Sequence, residues 1–281
     1  MKAISFSLWG EKEEYIAPMV RNLELARRHF PGWTIVVYAD DAMNPAVLNE
    51  LRAGGAEVVL AGSSPDTRGA FWRYRALNLP DLEAVLFRDS DSLLTARDAA
   101  FVARWEASDY PLMVCRDHPN QTAPIPAGIW GVKGRLLPML RSLVEGQEGT
   151  HTYGDDEKFL VRSVYLPWRK EMLLFSPFVR YRGESPESEP VARVSSADYL
   201  GRRDMSEWTV WDDAIMEDAL ARSHRPQVLF FVPQTLPWRL ATAIWEKRLD
   251  WRYARYFLFG MRVWKRKRVY RKRAETADDI R

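Results

Sequence analysis

The stretch Ala84-Val85-Leu86-Phe87-Arg88-Asp89-Ser90-Asp91-Ser92 is the most informative part of this 281-residue sequence. Its apolar first half is typical of a buried strand, and two carboxylates separated by one residue follow it. In an extended backbone alternate side chains share a face, so Asp89 and Asp91 are expected to point the same way. Hard carboxylate oxygens at the carboxyl end of a strand suit a divalent cation that binds phosphates. The alternative is a polar Asp-Ser turn that only ends the strand.

Strand-like and helix-like patterns alternate before this strand. We expect strands at Ala3–Leu8, Thr34–Tyr38, Glu57–Leu60 and Ala84–Phe87, separated by helices at Tyr15–Phe30, Pro45–Ala53 and Phe71–Leu79. This order predicts an α/β fold with a mostly parallel sheet flanked by helices, because parallel strands need crossover connections. Right-handed crossovers then place the carboxyl ends of the strands along one edge.

The same patterns continue less regularly after the carboxylates. We expect further helices at Asp98–Ala107, Leu136–Val144, Asp155–Val164 and Asp212–Ser223, and strands at Leu112–Arg116, Ile129–Val132 and Val228–Val232. After Pro237 the sequence becomes aromatic and basic. We therefore predict one domain over residues 1–237 and a helical aromatic and basic extension over residues 238–281.

Composition is that of an ordinary globular protein, with 47% hydrophobic and 28% charged residues. The single cysteine, Cys115, excludes an internal disulfide and fits a reducing compartment. The first nine residues are too short an apolar stretch for a signal peptide, and no apolar run approaches the roughly 20 residues of a membrane-spanning helix. These features predict a cytoplasmic location.

Charge is distributed unevenly along the chain. The segment Trp245–Arg273 contains twelve Lys or Arg residues and two acidic ones, a local charge of +10, so the remainder carries −7 of the net +3. Its aromatic residues alternate with the basic ones, as in interfacial helices on anionic lipid. Nucleic acid would suit the same composition, and so would a helix packed on the first domain.

Five short motifs follow one another in a fixed order. They are 68–77 (RGAFWRYRAL), 88–92 (RDSDS), 116–119 (RDHP), 124–131 (PIPAGIWG) and 153–160 (YGDDEKFL). This series resembles bacterial nucleotide-sugar glycosyltransferases of the GT-A fold, and is most similar to those related to the family 8 lipopolysaccharide galactosyl- and glucosyltransferases. The resemblance covers roughly residues 3–166.

The resemblance implies a metal-dependent transfer of a sugar from a nucleotide sugar, most often a UDP-sugar, to a glycan or lipid-linked acceptor, with retention of configuration, in lipopolysaccharide biosynthesis. Asp89 and Asp91 match the pair that binds Mn²⁺ or Mg²⁺, and Asp89 also matches a donor-binding position. Arg73 matches an arginine that contacts the donor, with Arg75 as a weaker rival.

The later motifs imply roles around the donor sugar. Ala127 and Gly128 match small residues that let the backbone approach this sugar, although Pro126 stands where the family has Asn. Asp156 and Glu157 match catalytic residues beside the anomeric carbon, and Asp155 a donor-binding position. An ionisable Glu157 stands where the family often has Gln. The alternative for these acids is stabilisation by the helix dipole.

Two further expectations concern the donor nucleotide and the metal. Trp9 and Asp40 follow the first two strands, where GT-A enzymes hold the base and ribose, although Asp40 could instead form a turn. Family 8 enzymes supply a late histidine as a third metal ligand, but the segment that carries it is missing here. His224 lacks the surrounding pattern, and His118 is expected to line the donor or acceptor pocket.

Two other functions remain open from the sequence. A D-x-D pair also occurs in haloacid dehalogenase-like phosphohydrolases, but there it ends the first strand. A non-catalytic adaptor could use the basic extension to bind a membrane or a nucleic acid. For a transferase with a lipid-linked acceptor, we expect the extension to bind an anionic membrane, at the inner face of the cytoplasmic membrane, and we expect no nucleic acid.

Overall fold

The computed structural model describes residues 1–64, 66–145, 154–181, 183–184, 191–204, 206, 208–221 and 227–229. The predicted extension at 238–281 and the candidate ligand His224 lie outside the described residues, as does part of the strand expected at Val228–Val232. Of the helices within the described ranges, none has the length and apolar character needed to cross a membrane.

A seven-stranded sheet forms the centre of the fold. Its strands are β1 (Lys2–Leu8), β2 (Trp33–Ala39), β3 (Glu57–Leu60), β4 (Ala84–Arg88), β5 (Leu112–Cys115), β6 (Ile129–Lys133) and β7 (Met172–Phe175), in the spatial order β3-β2-β1-β4-β6-β5-β7. Each neighbouring pair is parallel except for the two that include β6. The mostly parallel α/β sheet expected from the sequence is therefore confirmed. A separate parallel pair is formed by β8 (Val179–Tyr181) and β9 (Gln227–Leu229).

Helices flank the sheet. They are α1 (Glu13–His29), α2 (Pro45–Ala53), α3 (Ala96–Glu106), α4 (Leu137–Val144), α5 (Asp155–Leu160), α6 (Leu166–Trp168) and α7 (Thr209–Ala221). The side chains of Asn44 and Thr95 cap α2 and α3 by accepting hydrogen bonds from backbone N–H groups. The helix expected at Phe71–Leu79 is instead a 3-10 helix that begins earlier, at Thr67, and ends at Asn78. The helix expected at Asp155–Val164 changes to π-helical geometry after Leu160.

Two apolar layers cover the two faces of the sheet, and β4 contributes to both. Val85 and Phe87 are buried in one layer, while Ala84 and Leu86 are buried in the other. All four have an exposure of 4% or less, which explains why β4 reads as a continuous apolar run rather than an alternating one.

The antiparallel direction of β6 has a consequence for the edge of the sheet. Arg88, at the end of β4, pairs with Ile129, at the start of β6. The residues that precede β6 therefore lie beside the residues that follow β4.

Candidate active site

The D-x-D segment leaves the sheet at the carboxyl end of β4, between β1 and β6. The preceding residue, Arg88, is buried and donates to both carboxylate oxygens of Asp98 in α3, at 2.9 and 2.8 Å. Its guanidinium also donates to the carbonyl oxygens of Phe87 at 2.8 Å and Trp130 at 3.0 Å. Arg88 thus anchors the strand end on which the D-x-D carboxylates stand.

Arg73 joins the D-x-D segment to α5. It is 4% exposed, and its Nη1 forms an ion pair with the carboxylate of Asp89. Nη2 lies 3.4 Å from Oδ2 of Asp156, and Nε donates to the carbonyl of Ala70 at 2.9 Å. The backbone of Arg73 is held on β1, because its N–H donates to the hydroxyl of Ser7 at 2.8 Å. A single buried guanidinium therefore connects two of the acidic motifs.

Small residues before β6 bring the backbone against the carboxylates. A Cβ atom added to Gly128 would overlap the carboxylate of Asp89, so any larger residue here would displace that carboxylate from its present position. The backbone of Ala127 forms a hydrogen bond with the carboxylate of Glu157. The segments 68–77, 89–91, 126–129 and 155–157 therefore meet at one place.

The site holds more negative charge than its arginine balances. Burial, reinforced by the charge of Asp89, raises the pKa of Asp91 to about 6. Burial also raises the pKa of Asp156, against the opposing effect of Arg73. The pKa of Glu157 rises to about 7, because of burial and then of the charges on Asp156 and Asp89. These carboxylates are therefore expected to gain from a bound cation.

Replacing Glu157 with glutamine is expected to stabilise the free protein at alkaline pH. The pKa of about 7 in the folded state lies above its ordinary value of 4.5, so stability falls as the pH rises between these values. Glu157→Gln should raise the free energy of unfolding by about 2–3 kcal/mol at pH 8 and leave it unchanged near pH 4. Urea denaturation in EDTA measures both values. Glu50→Gln, at an exposed position of α2, is the control; a gain for Glu157→Gln that does not depend on pH would contradict the prediction.

Trp9 and Asp40 follow β1 and β2 at the same edge of the sheet. The ring of Trp9 packs on Gly69, where an added Cβ would lie 2.7 Å from it. The carboxylate of Asp40 accepts hydrogen bonds from the N–H groups of Ala42 at 2.8 Å and Ser64 at 3.2 Å. The structure thus gives Asp40 the role of a turn residue, and contacts of Trp9 and Asp40 with base or ribose stay predictions.

Asp155 and Arg75 make contacts other than those of the carboxylate cluster. Asp155 accepts a hydrogen bond from Nζ of Lys158 at 2.7 Å, on the exposed side of α5. Arg75 donates to the carbonyl of Ala61 at 2.8 Å, and its side chain is exposed. The structure therefore favours Arg73 over Arg75 as the arginine of the site.

His118 is a buried structural residue, 2% exposed. Its Nε2 lies 2.8 Å from the carbonyl oxygen of Asp212, and its Nδ1 accepts a hydrogen bond from the N–H of Asn120 at 3.0 Å. The ring also lies 4.6 Å from that of Tyr199 between centroids. Both ring nitrogens therefore hold neighbouring segments, in contrast to the expected role in lining a pocket.

The segment 199–204 is a part of the site that sequence reasoning missed. Arg203 and Ser92 form an antiparallel bridge, and the N–H of Asp204 donates to the carbonyl of Asp91 at 2.9 Å. The positive charge of Arg203 lowers the pKa of Asp91, although burial and Asp89 outweigh it. The local signal for this contact is weak, since the run Gly-Arg-Arg-Asp at 201–204 also suits an ordinary charged turn.

Asp89 and Asp91 offer the oxygen ligands that Mg²⁺ and Mn²⁺ prefer. Within the part of the chain that the structure describes, no group of three or more His, Cys, Asp or Glu side chains is arranged to hold a metal ion. Mg²⁺ commonly binds to one or two carboxylates together with substrate phosphates and water. The excess of carboxylates over arginine fits an ion of this kind, shared between the protein and a phosphate group.

No protein-family model and no curated protein matches the chain. Solved structures do match it. The mannosyltransferase PcManGT from Pyrobaculum calidifontis, in complex with GDP-Man and Mn²⁺, is 14% identical, and the match covers 98% of this chain and 80% of that one with a TM-score of 0.46. The galactosyltransferase LgtC, in complex with donor and acceptor sugar analogs, is also 14% identical. That match covers 85% of this chain and 99% of the LgtC chain, with a TM-score of 0.45.

TarS 1–349 from S. aureus is a third match, with 16% identity and a TM-score of 0.41. The match covers 57% of this chain and 54% of the TarS chain, so it spans about half the length of that protein. All three similarities are distant, because every TM-score lies below 0.5.

Proposed function

We propose that this protein is a metal-dependent glycosyltransferase of the GT-A type, which moves a sugar from a nucleotide-sugar donor to a glycan or lipid-linked acceptor. One observation carries the proposal. Four motifs that resemble those of such enzymes, separated along the chain, meet around Arg73 at the carboxyl edge of a mostly parallel sheet. This edge is where open α/β sheets bind ligands.

In this proposal the donor diphosphate binds next to Arg73 and the D-x-D carboxylates. A planar guanidinium suits phosphate because it donates hydrogen bonds in pairs. Asp91, together with Asp89, would hold Mn²⁺ or Mg²⁺. Such an ion, when bound, offsets the negative charge that builds on the leaving nucleoside diphosphate. Arg203 adds a second fixed positive charge beside Asp91.

Asp156 and Glu157 are proposed to face the reacting carbon of the sugar. With a pKa of about 7, Glu157 is ionised in a large fraction of molecules near neutral pH. In that form it can stabilise an oxocarbenium-like centre or attack it as a nucleophile. The latter chemistry accords with retention, which the motif resemblance also favours. Ala127 and Gly128 themselves contribute no side chain larger than a methyl group to this part of the site.

The phosphohydrolase alternative is less well supported. Haloacid dehalogenase-like enzymes carry their D-x-D at the end of the first strand. Here the pair follows β4, and in the folded chain Asp89 is bound to Arg73 through an ion pair.

A panel of nucleotide sugars in a thermal-shift assay tests the proposed function. UDP-glucose, UDP-galactose, UDP-N-acetylglucosamine and GDP-mannose would each be added with Mn²⁺ or with EDTA. A ligand that binds the native state raises its stability in proportion to affinity, about 2.7 kcal/mol at a concentration of 100 Kd. We expect one donor, a UDP-sugar, to raise the melting temperature only when Mn²⁺ is present. The absence of a shift with every donor would contradict the proposal.

We also propose that the extension at 238–281 attaches the enzyme to the inner face of the cytoplasmic membrane, in the synthesis of cell-surface polysaccharide. Eight Lys or Arg residues lie between Arg262 and Arg273. Each basic residue near an anionic surface contributes roughly 1 kcal/mol. The full chain should therefore sediment with phosphatidylglycerol vesicles at low salt, and a chain ending at residue 237 should not. Equal sedimentation of the two chains would contradict the membrane role.

A further inference from the structure

The hydroxyl group of Tyr74 is a buried polar group with no hydrogen-bond partner among the described residues. Tyr74 is 2% exposed, and its ring is fixed within an aromatic cluster. The centroids of the neighbouring rings lie 5.2 to 6.2 Å from that of Tyr74, and the rings belong to Phe71, Phe87, Trp130 and Phe159. Burying an unpaired hydroxyl is costly, so an acceptor that reaches it in the ligand-bound protein would stabilise that state.

Asp156 lies close to Tyr74. The guanidinium of Arg73, which contacts Asp156, lies 6.0 Å from the centre of the Tyr74 ring. Asp156 also precedes Phe159 by about one turn of α5, and the ring of Phe159 lies 6.2 Å from that of Tyr74. In keeping with this arrangement, burial and then the negative charge of Asp156 raise the pKa of the Tyr74 hydroxyl. Oδ1 of Asp156 accepts a hydrogen bond from the N–H of Glu157 at 2.9 Å. Oδ2 lies 3.4 Å from Nη2 of Arg73, which is longer than a normal charge-assisted hydrogen bond. A donor without an acceptor thus lies near an acceptor that is weakly held.

The guanidinium of Arg73 is shared among several acceptors before any ligand binds. It contacts the carboxylates of Asp89 and Asp156 and the carbonyls of Ala70 and Arg88. An anionic diphosphate that binds to Arg73 must compete with these contacts. The two longest of these contacts are those to Asp156 at 3.4 Å and to the carbonyl of Arg88 at 3.3 Å. The contact with Asp156 is therefore among the weakest and among the first that a diphosphate would replace.

We propose, building on the glycosyltransferase function above, that the Tyr74 hydroxyl donates a hydrogen bond to Asp156 when the diphosphate of a nucleotide sugar engages Arg73. This bond replaces the weak contact with Arg73 and keeps the Asp156 carboxylate ionised and oriented during sugar transfer. Tyr74 contacts neither the sugar nor the cation in this arrangement. It acts through Asp156 and is a positioning residue.

The variant Tyr74→Phe tests the pairing, because it removes only the hydroxyl from a ring that the aromatic cluster holds. Since the hydroxyl is unpaired in the free protein, its removal should leave the urea midpoint unchanged or raise it. A hydrogen bond to a charged group should be lost in the reacting complex, so kcat for donor hydrolysis should fall about 10- to 100-fold. The donor KM should also rise, because the bond forms as the donor binds, but by a smaller factor than kcat falls, since Tyr74 does not touch the donor.

Tyr165→Phe is the matched control. The hydroxyl of Tyr165 is paired, since it donates to Oε1 of Glu184 at 3.0 Å in a fully buried setting. Its removal should lower the urea midpoint and leave kcat unchanged. The kinetic assay uses the full chain with Mn²⁺ and the one of the four nucleotide sugars in the thermal-shift panel that stabilises the wild type most. The urea denaturation uses the same full chain without metal or donor.

The outcomes separate this pairing from the proposed function. A wild-type protein that hydrolyses a nucleotide sugar, with an unchanged kcat in Tyr74→Phe, would overturn the pairing and leave the function standing. A lowered urea midpoint for Tyr74→Phe in the free protein, like that of Tyr165→Phe, would show that the hydroxyl is already paired and would also overturn it. A wild type that no donor stabilises and that hydrolyses none would overturn the function, and the pairing with it.

Discussion

Replacing Asp91 with asparagine is expected to reduce metal-dependent turnover of the donor by about 1000-fold, equivalent to roughly 4 kcal/mol of transition-state stabilisation. Asparagine keeps the shape of the side chain and removes the charge that would bind the cation. Because burial and Asp89 already raise the pKa of Asp91 to about 6, the loss of this charge should not destabilise the free protein at pH 8. The measurement is single-turnover hydrolysis of the donor in Mn²⁺, with urea denaturation of the same samples.

Asp109→Asn provides the control, since Asp109 is an exposed acid on the same chain. It should match the wild type in both assays. The thermal shift caused by Mn²⁺ with donor should disappear in Asp91→Asn and persist in Asp109→Asn. Wild-type turnover in Asp91→Asn would remove the metal assignment, while loss of folding in EDTA would point to a structural role for this carboxylate.

Replacing Arg73 with lysine is expected to damage both the fold and the site. Lysine keeps one positive charge but cannot reach the Ala70 and Arg88 carbonyls and both carboxylates at once. Removing one partner of a buried ion pair costs about 3–5 kcal/mol. Lysine keeps part of the pairing and the Asp89 side chain is 46% exposed, so we expect a loss of about 1–3 kcal/mol. Donor turnover should fall by at least about 100-fold, because the paired donors to the diphosphate are lost.

The loss of stability in Arg73→Lys should depend on pH. Arg73 lowers the raised pKa values of Asp156 and Glu157, so weaker pairing should let both rise further. The loss of stability in Arg73→Lys should therefore be larger at pH 8 than at pH 5. Arg75→Lys is the matched control two residues away, since Arg75 is exposed and contacts a carbonyl rather than the carboxylate cluster. Equal losses in the two variants, in stability or in turnover, would contradict the role given to Arg73.

The sequence was sufficient for six of the seven strands of the sheet and for the strand end that carries the acids, whereas the edge strand β7 was not expected from it. Parallel strands must be buried on both faces, so β4 had to be a continuous apolar run, and that pattern is visible locally. The motifs also identified Arg73, Asp89, Gly128 and Glu157, which do come together. These residues can be recognised from short sequence motifs, without knowledge of the fold.

Other features required the folded chain. Arg73 and Arg75 have the same chemistry and nearly the same position in sequence, and only the packing of the 3-10 helix on β1 places the first at the carboxylates and the second at the surface. Where the 3-10 helix packs on β1, the hydroxyl of Ser5 donates to the carbonyl of Arg73 at 2.7 Å. Serines in an apolar strand give no indication of this partner.

By itself, the sequence determined the alternation of strands and helices, the D-x-D at the end of β4 and the identities of the acids and the arginine. The tertiary structure decided which of these groups meet and how strongly they are charged. The antiparallel entry of β6 brings Gly128 to Asp89, and the bridge to Ser92 brings in Arg203. Burial sets the raised pKa of Glu157. The reason is that local patterns follow from the period of the backbone, whereas contacts and desolvation depend on residues distant in the chain.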